Sequence, residues 1–388
     1  MKRALILVLL AMLVFLINNL WLGGYLYSID TLAVELMTTP ESLTEFRITN
    51  EEPFKFRIVF QGLVKETSSF INPDSAEVFY YTYLYYSLAF FVISILSFFY
   101  LFKLVSKNQN LAFIFTFLIL ISPAYVMAYS IPVHTREDTL AYALICLGLI
   151  ALLKNQYIAL IICIIIATAT RETTMILPLS ILFYPGWSKL KRFLPLIIAL
   201  VVFVSIRVAL GGKTDLDHQL SLGLRYNLNH KLSSLSFPII TLHIFWVYYL
   251  IFIKVKLPPY KTIPEWFSST SVIVLIPIFL STIVFGRLNE IRLLTLATPW
   301  VMAVILLNRD KWWVLPSPKM IIFVSSISMA IGVIVISILK GQEIFTQFKQ
   351  YYIPYSEWTG IFCAYGILLL YGILKLIISY RHEYQKVN

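Results

Sequence analysis

A dozen apolar stretches recur along the whole chain with only short polar breaks between them, and this recurrence constrains the fold more than any other feature. They run approximately from Ala4 to Tyr25, Val78 to Leu104, Leu111 to Ala128, Thr139 to Leu153, Tyr157 to Thr170, Thr173 to Tyr184, Phe193 to Leu210, Phe237 to Ile253, Ser271 to Phe285, Leu293 to Leu307, Met320 to Leu339 and Gly360 to Tyr380. A backbone surrounded by lipid must satisfy its own amides, which helices do within one segment, and a span takes roughly 20 residues. Hydrophobic residues make up 59% of the chain and charged residues 13%, against roughly 45–50% and 25% in a soluble domain. The expectation is an all-α, polytopic transmembrane bundle of about twelve helices, with residues 1–388 forming one membrane domain. Lys2 and Arg3 precede an apolar run that continues to Tyr25 without a small-residue cleavage site, so the first stretch reads as a retained helix rather than a signal peptide.

Charge supplies the orientation. The net charge of +11 is not gathered into a solvated patch; the bases sit singly or in pairs at the breaks, which excludes a nucleic-acid partner and reads as a topology signal. With the N-terminus inside, the cytoplasmic breaks hold seventeen bases, among them Lys103, Lys154, Lys189, Lys191, Arg192, Lys254, Lys256 and Lys261, against Glu265, Asp310 and Glu383. The opposite side holds nearly every carboxylate. Both termini are therefore expected in the cytoplasm of a bacterial-type inner or plasma membrane. The same rule separates the fifth and sixth stretches, each too short for an ordinary span. A single helix with Arg171 and Glu172 at its middle would put Lys154 and the Lys189, Lys191, Arg192 group on opposite sides, so two short helices joined at Arg171 and Glu172 are expected.

Two external segments exceed a turn. The first, 27–77, contains Pro40, Pro53 and Pro73, and its portion from Phe54 to Val64 mixes aromatics and bases as an interfacial amphipathic helix does. The second, 211–236, is polar. Tyr80, Tyr81, Tyr83, Tyr85 and Tyr86 form an aromatic belt at the second helix. Cys146, Cys163 and Cys363 lie inside apolar runs and read as small packing residues.

Three helix ends, far apart in sequence and all on the external side, set Arg beside carboxylate. They are Arg136-Glu137-Asp138, Arg171-Glu172 and Arg287-x-x-Glu290-x-Arg292; the first external segment adds Asp30, Glu51, Glu52 and Arg57. A guanidinium fork grips phosphate oxygens in pairs, and a carboxylate within reach of a hydroxyl serves as general base. Ionised groups at membrane depth are functional candidates by default. Each has a plainer reading: Thr135-x-x-Asp138 is also a capping box, Arg287 and Glu290 are spaced to pair on one helix, and Glu51 and Glu52 fit a solvated loop. Arg171-Glu172 between two short spans is the hardest to assign to helix termination alone. His134, His218 and His230 lack ligand spacing, so no metal site is assigned; no cofactor is required by any motif, and a divalent metal ion is left open. Walker, Rossmann, zincin and nucleophile-elbow patterns do not occur in the sequence.

A first helix, a long acidic external loop with an interfacial helix, and then many short-looped helices resemble the GT-C superfamily of polytopic membrane glycosyltransferases that use polyprenyl-phosphate sugars. Pro53-Phe54-Lys55-Phe56-Arg57, Asp138-Thr139-Leu140-Ala141, Arg171-Glu172-Thr173 and Arg287-x-x-Glu290-x-Arg292 are similar to a pattern in its bacterial members. The resemblance implies transfer of a sugar from a polyprenyl-phosphate donor to a lipid-linked glycan, lipid or protein acceptor on the extracytoplasmic face. It implies a catalytic acid soon after the first helix, to which Asp30 corresponds most nearly by position, then Glu51 or Glu52; the adjacent acidic pair of many members is not present there. Asp138 and Glu172 join these as catalytic candidates, with Arg57, Arg136, Glu137, Arg171, Arg287, Glu290 and Arg292 holding substrate. A polysaccharide polymerase of the O-antigen type is the related alternative. A transporter or lipid-glycan flippase is the alternative of another class; its midplane glycines and two-fold hydropathy symmetry are not seen among the 14 glycines.

Overall fold

The computed structural model of the protein describes residues 2–27, 57–73, 75–120, 122, 125, 137–211, 221–229, 245–285 and 291–308. Among the described residues every regular element is helical. Helices over Glu77–Ser106, Lys189–Ala209 and Ile263–Val284 are long and apolar enough to cross a bilayer, which marks the chain as a membrane protein. The expected eleventh and twelfth stretches lie outside the described residues.

The longest helix organises the rest. It spans Ala76–Ser106 (α3, after α1 at Lys2–Tyr27 and α2 at Ile58–Ile71). Ser75 caps it by accepting from the Val78 N–H at 3.3 Å, Glu77 lies in its first turn and Lys103 in its last, each charge complementing the helix dipole. Lys107 ends it in the left-handed conformation, φ 51°. Leu7, Ala11 and Phe15 of α1 recur every fourth residue and are buried, and Phe15 meets Phe91 of α3 at 5.8 Å between ring centroids.

A helix over Ile58–Ile71 covers the later part of the amphipathic segment, whose first residues, 54–56, lie outside the described residues. Its buried face is Phe60, Val64 and Ser68, a spacing of four. Phe60 meets Tyr83 at 5.4 Å and Phe90 at 5.7 Å, and the hydroxyls of Thr67 and Tyr86 are bonded at 2.9 Å. A tight turn joins α2 to α3, so the two form an antiparallel hairpin. The start of α2 is level with Phe90, well down α3.

The fourth to sixth stretches give the helices Glu137–Leu153 (α5, after α4 at Gln109–Leu120) and Tyr157–Thr170 (α6). In place of a sixth helix of normal length, a 3-10 turn at Glu172–Met175 leads into the short α7, Ile176–Ile181. Chain reversal occurs at Arg171, whose backbone is extended, φ −160° and ψ 133°. The return brings the chain back to the end from which α6 began. There Trp187 Nε1 donates to Asn155 Oδ1 at 3.2 Å, and Tyr157 and Trp187 rings meet at 5.5 Å. Two short segments with Lys154 and Lys191 on one side thus replace a single span, as the basic residues predict.

Helix α8, Lys189–Ala209, is capped by Ser188 and contains Pro195. Proline has no N–H for the carbonyl four residues earlier; that carbonyl, of Lys191, accepts from the Tyr157 hydroxyl at 3.5 Å. Beyond it lie Tyr226–Asn229 (α9), Phe245–Phe252 (α10) and Ile263–Phe285 (α11). Helix α11 starts at Ile263 rather than Ser271, because the serines and threonine that read as a break are satisfied locally. Ser268 and Ser269 accept from the backbone N–H groups of Lys254 (2.7 Å) and Lys256 (2.9 Å), while Thr270 donates to the Trp266 carbonyl at 2.6 Å. At its far end the Asn227 amide donates to the carbonyls of Thr282 (3.3 Å) and Ile283 (2.9 Å). A 3-10 segment, Ile291–Ala297, then enters the buried α12, Thr298–Leu307.

Candidate functional site

Five charged side chains from three separate parts of the chain meet where α2, α5 and α6 converge. Arg57 stands one residue before α2, Glu137 and Asp138 are the first two residues of α5, and Arg171 and Glu172 occupy the bend after α6. Leu140, Leu144, Ala167, Val59 and Phe90 form an apolar layer beside them.

The pairing is crossed. Arg57 Nη1 donates to Glu137 Oε1 at 2.7 Å, and its Nη2 lies 3.5 Å from Glu172 Oε1. Arg171 pairs with Asp138. Although Arg171 and Glu172 are adjacent, they reach different partners, because the extended backbone at Arg171 sends consecutive side chains in opposite directions. The bend is fixed by its own bonds: the Arg171 N–H donates to the Ala167 carbonyl at 2.9 Å, and the Thr174 hydroxyl donates to the Arg171 carbonyl at 2.7 Å. Asp138, expected as a possible cap, has an ionic partner on a neighbouring helix as well as a favourable position at a helix N-terminus.

Burial divides the group. Side-chain exposure is 6% for Arg57, 1% for Glu137, 0% for Asp138 and 3% for Arg171, but 28% for Glu172. Glu172 is the accessible carboxylate of the five. Burying ions costs several kcal/mol each unless they are matched, and three acids against two bases leave one negative charge over. Arg207, in the last turn of α8, supplies further positive potential at Glu172. The Arg207 guanidinium lies 4.3 Å from the centre of the Phe203 ring one turn earlier. Sequence reading passed over Arg207; its signal was a lone base ending an apolar stretch on the same side as Arg171.

Of the expected site residues, the structure thus joins Arg57, Glu137, Asp138, Arg171 and Glu172. Asp30, Glu51, Glu52, Arg136, Arg287 and Glu290 lie outside the described residues. Arg292 lies in the 3-10 segment before α12, its side chain outside what is described. Among the described residues no group of three His, Cys, Asp or Glu is arranged to hold a metal ion.

Chemically, the sealed pairs Arg57–Glu137 and Arg171–Asp138 are a scaffold, and Glu172 is the edge of it that a ligand can touch. The 3.5 Å approach of Arg57 Nη2 to Glu172 Oε1 ties the accessible carboxylate to the sealed pairs. The chain matches no protein-family model, no curated protein and no solved structure.

Proposed function

We propose that this protein is a membrane glycosyltransferase that moves a sugar from a polyprenyl-phosphate donor to a lipid-linked glycan, lipid or protein acceptor at the non-cytoplasmic face. The observation that carries this reading is the crossed cluster itself, in which one accessible carboxylate stands beside guanidinium groups from distant parts of the chain. Glu172 is the general base toward the acceptor hydroxyl, Arg207 holds the donor phosphate, and Arg57, Glu137, Asp138 and Arg171 keep Glu172 in position. Asp30, Glu51 and Glu52 remain candidates for the same role from the first external segment.

Depth favours a lipid-borne donor. Helix α6 has 14 residues, about 21 Å at 1.5 Å per residue, and it joins the basic end to the cluster. The hydrocarbon core is about 30 Å thick. With the basic end at the cytoplasmic boundary, the cluster lies roughly 9 Å inside the opposite one, a depth that a phosphate on a membrane-anchored chain reaches from the side. Twelve spans with both termini in the cytoplasm complete the proposed topology.

Proteoliposomes supplied with radiolabelled polyprenyl-phosphate sugars and a lipid-glycan acceptor provide the test. Glu172→Gln is expected to lower covalent transfer by about 10²–10⁴-fold while the protein remains monodisperse. Wild-type transfer by that variant would remove Glu172 from the reaction, and substrate flux without a covalent product would replace the enzyme by a carrier.

A further inference from the structure

At the end of the molecule away from the cluster, three stretches distant in sequence build one basic surface. They are the α5–α6 turn, the approach to α8, and the strap 253–262 that precedes α11. An aromatic chain joins them: Tyr157 meets Trp187 at 5.5 Å, Trp187 meets Tyr184 at 5.0 Å, Tyr184 meets Trp266 at 5.1 Å, and Phe183 meets Tyr260 at 6.3 Å. Arg192 Nε donates to the Trp187 carbonyl at 2.8 Å. The strap is tied down by the bonds from Lys254 and Lys256 to Ser268 and Ser269.

Lys154, Lys189, Lys191, Lys254, Lys256 and Lys261 are exposed on this surface, and Arg192 is partly so. Glu265 is the acidic residue among these described stretches; it accepts from Lys256 Nζ at 2.5 Å and from the Lys261 N–H at 3.0 Å. Among the described residues, six of these cations have no ion-pair partner. Large apolar side chains stand exposed between them: Leu190, Phe193, Val255 and Leu257, the last at 88%. A soluble anion gains nothing from those apolar groups, whereas a phospholipid meets lysine with its headgroup and leucine or phenylalanine with its chains.

We infer that this surface is a docking site for anionic phospholipid, in which Lys189, Lys191, Lys254 and Lys261 hold headgroup phosphates while Leu190, Phe193, Val255 and Leu257 enter the acyl boundary. The rigid aromatic chain fixes the three stretches relative to one another, so the cations form a site of set geometry. The inference rests on membrane embedding alone and does not depend on the proposed transferase activity.

The full-length protein in detergent, titrated with phosphatidylglycerol and separately with phosphatidylcholine, tests this by native mass spectrometry. Phosphatidylglycerol should be retained at least about fivefold more strongly, in keeping with the attraction of surface lysines for anionic lipid. Changing Lys189, Lys191, Lys254 and Lys261 together to Gln should bring the two lipids to parity, while the corresponding Arg variant, which keeps charge and tests folding, should retain the preference. Equal retention by the wild type, or a preference that survives in the Gln variant, overturns the proposal. So does displacement of phosphatidylglycerol by millimolar inorganic phosphate, which would mark a plain anion site.

Discussion

The two ends of the helical bundle use charge in opposite ways. At one end Arg57, Glu137, Asp138 and Arg171 are withdrawn from solvent and matched, cation to acid, across three parts of the chain. At the other, Lys154, Lys189, Lys191 and Lys254 are exposed and outnumber the acids, with Lys256–Glu265 as the local ion pair among the described residues. Buried matched charges specify which helices meet, because each ion is costly without its partner. Exposed like charges specify which way the assembly faces, because they work through the membrane boundary and need no partner. One end therefore carries the tertiary structure, and the other the orientation.

That contrast breaks most clearly at Asp138 and Arg171. Replacing either one alone, as Asp138→Asn or Arg171→Met, leaves a buried ion unmatched and is expected to cost about 3–5 kcal/mol, read as loss of the folded species on thermal scanning in detergent. The double variant should recover a large part of that loss. If each single variant unfolds like wild type, the cluster does not hold the helices together.

Packing at the bend should matter next. A Cβ on Gly148 of α5 would come within 2.5 Å of Leu177 Cδ2 on α7, so Gly148→Val is expected to cost about 1–3 kcal/mol by overpacking. It should also lower transfer by moving the bend that holds Glu172. An unchanged midpoint and an unchanged rate would show that α7 yields without disturbing the site.

The smallest effect is expected at the basic end, where Lys189→Gln and Lys254→Gln should each shift stability by no more than about 0.5 kcal/mol.

How much of this was legible varies by element. The helix at Tyr157–Thr170 coincides with its apolar stretch, and the hairpin at Arg171 followed from the bases on either side. The amphipathic pattern pointed to the helix at Ile58–Ile71, but not to the acids that take up Arg57 just before it, Glu137 and Glu172. The start of α11 was missed because serine side chains that look like a loop become acceptors for the strap beside them. Arg207 went unnoticed because a lone base ending an apolar stretch reads as an ordinary helix end, and only the fold brings it toward Glu172.

Sequence alone determined that the chain is helical and suited to a membrane, that lysines gather at some breaks while Arg stands beside carboxylate at others, and that the turn at Arg171 and Glu172 carries unusual charge. These follow from hydropathy and charge, which are sums over local residues. The crossed partners of Arg57 and Arg171, the concealment of Glu137 and Asp138, and the exposure of Glu172 were decided by tertiary structure. Pairing energies depend on distance and on the surrounding dielectric, and neither exists until α2, α5 and α6 have come together.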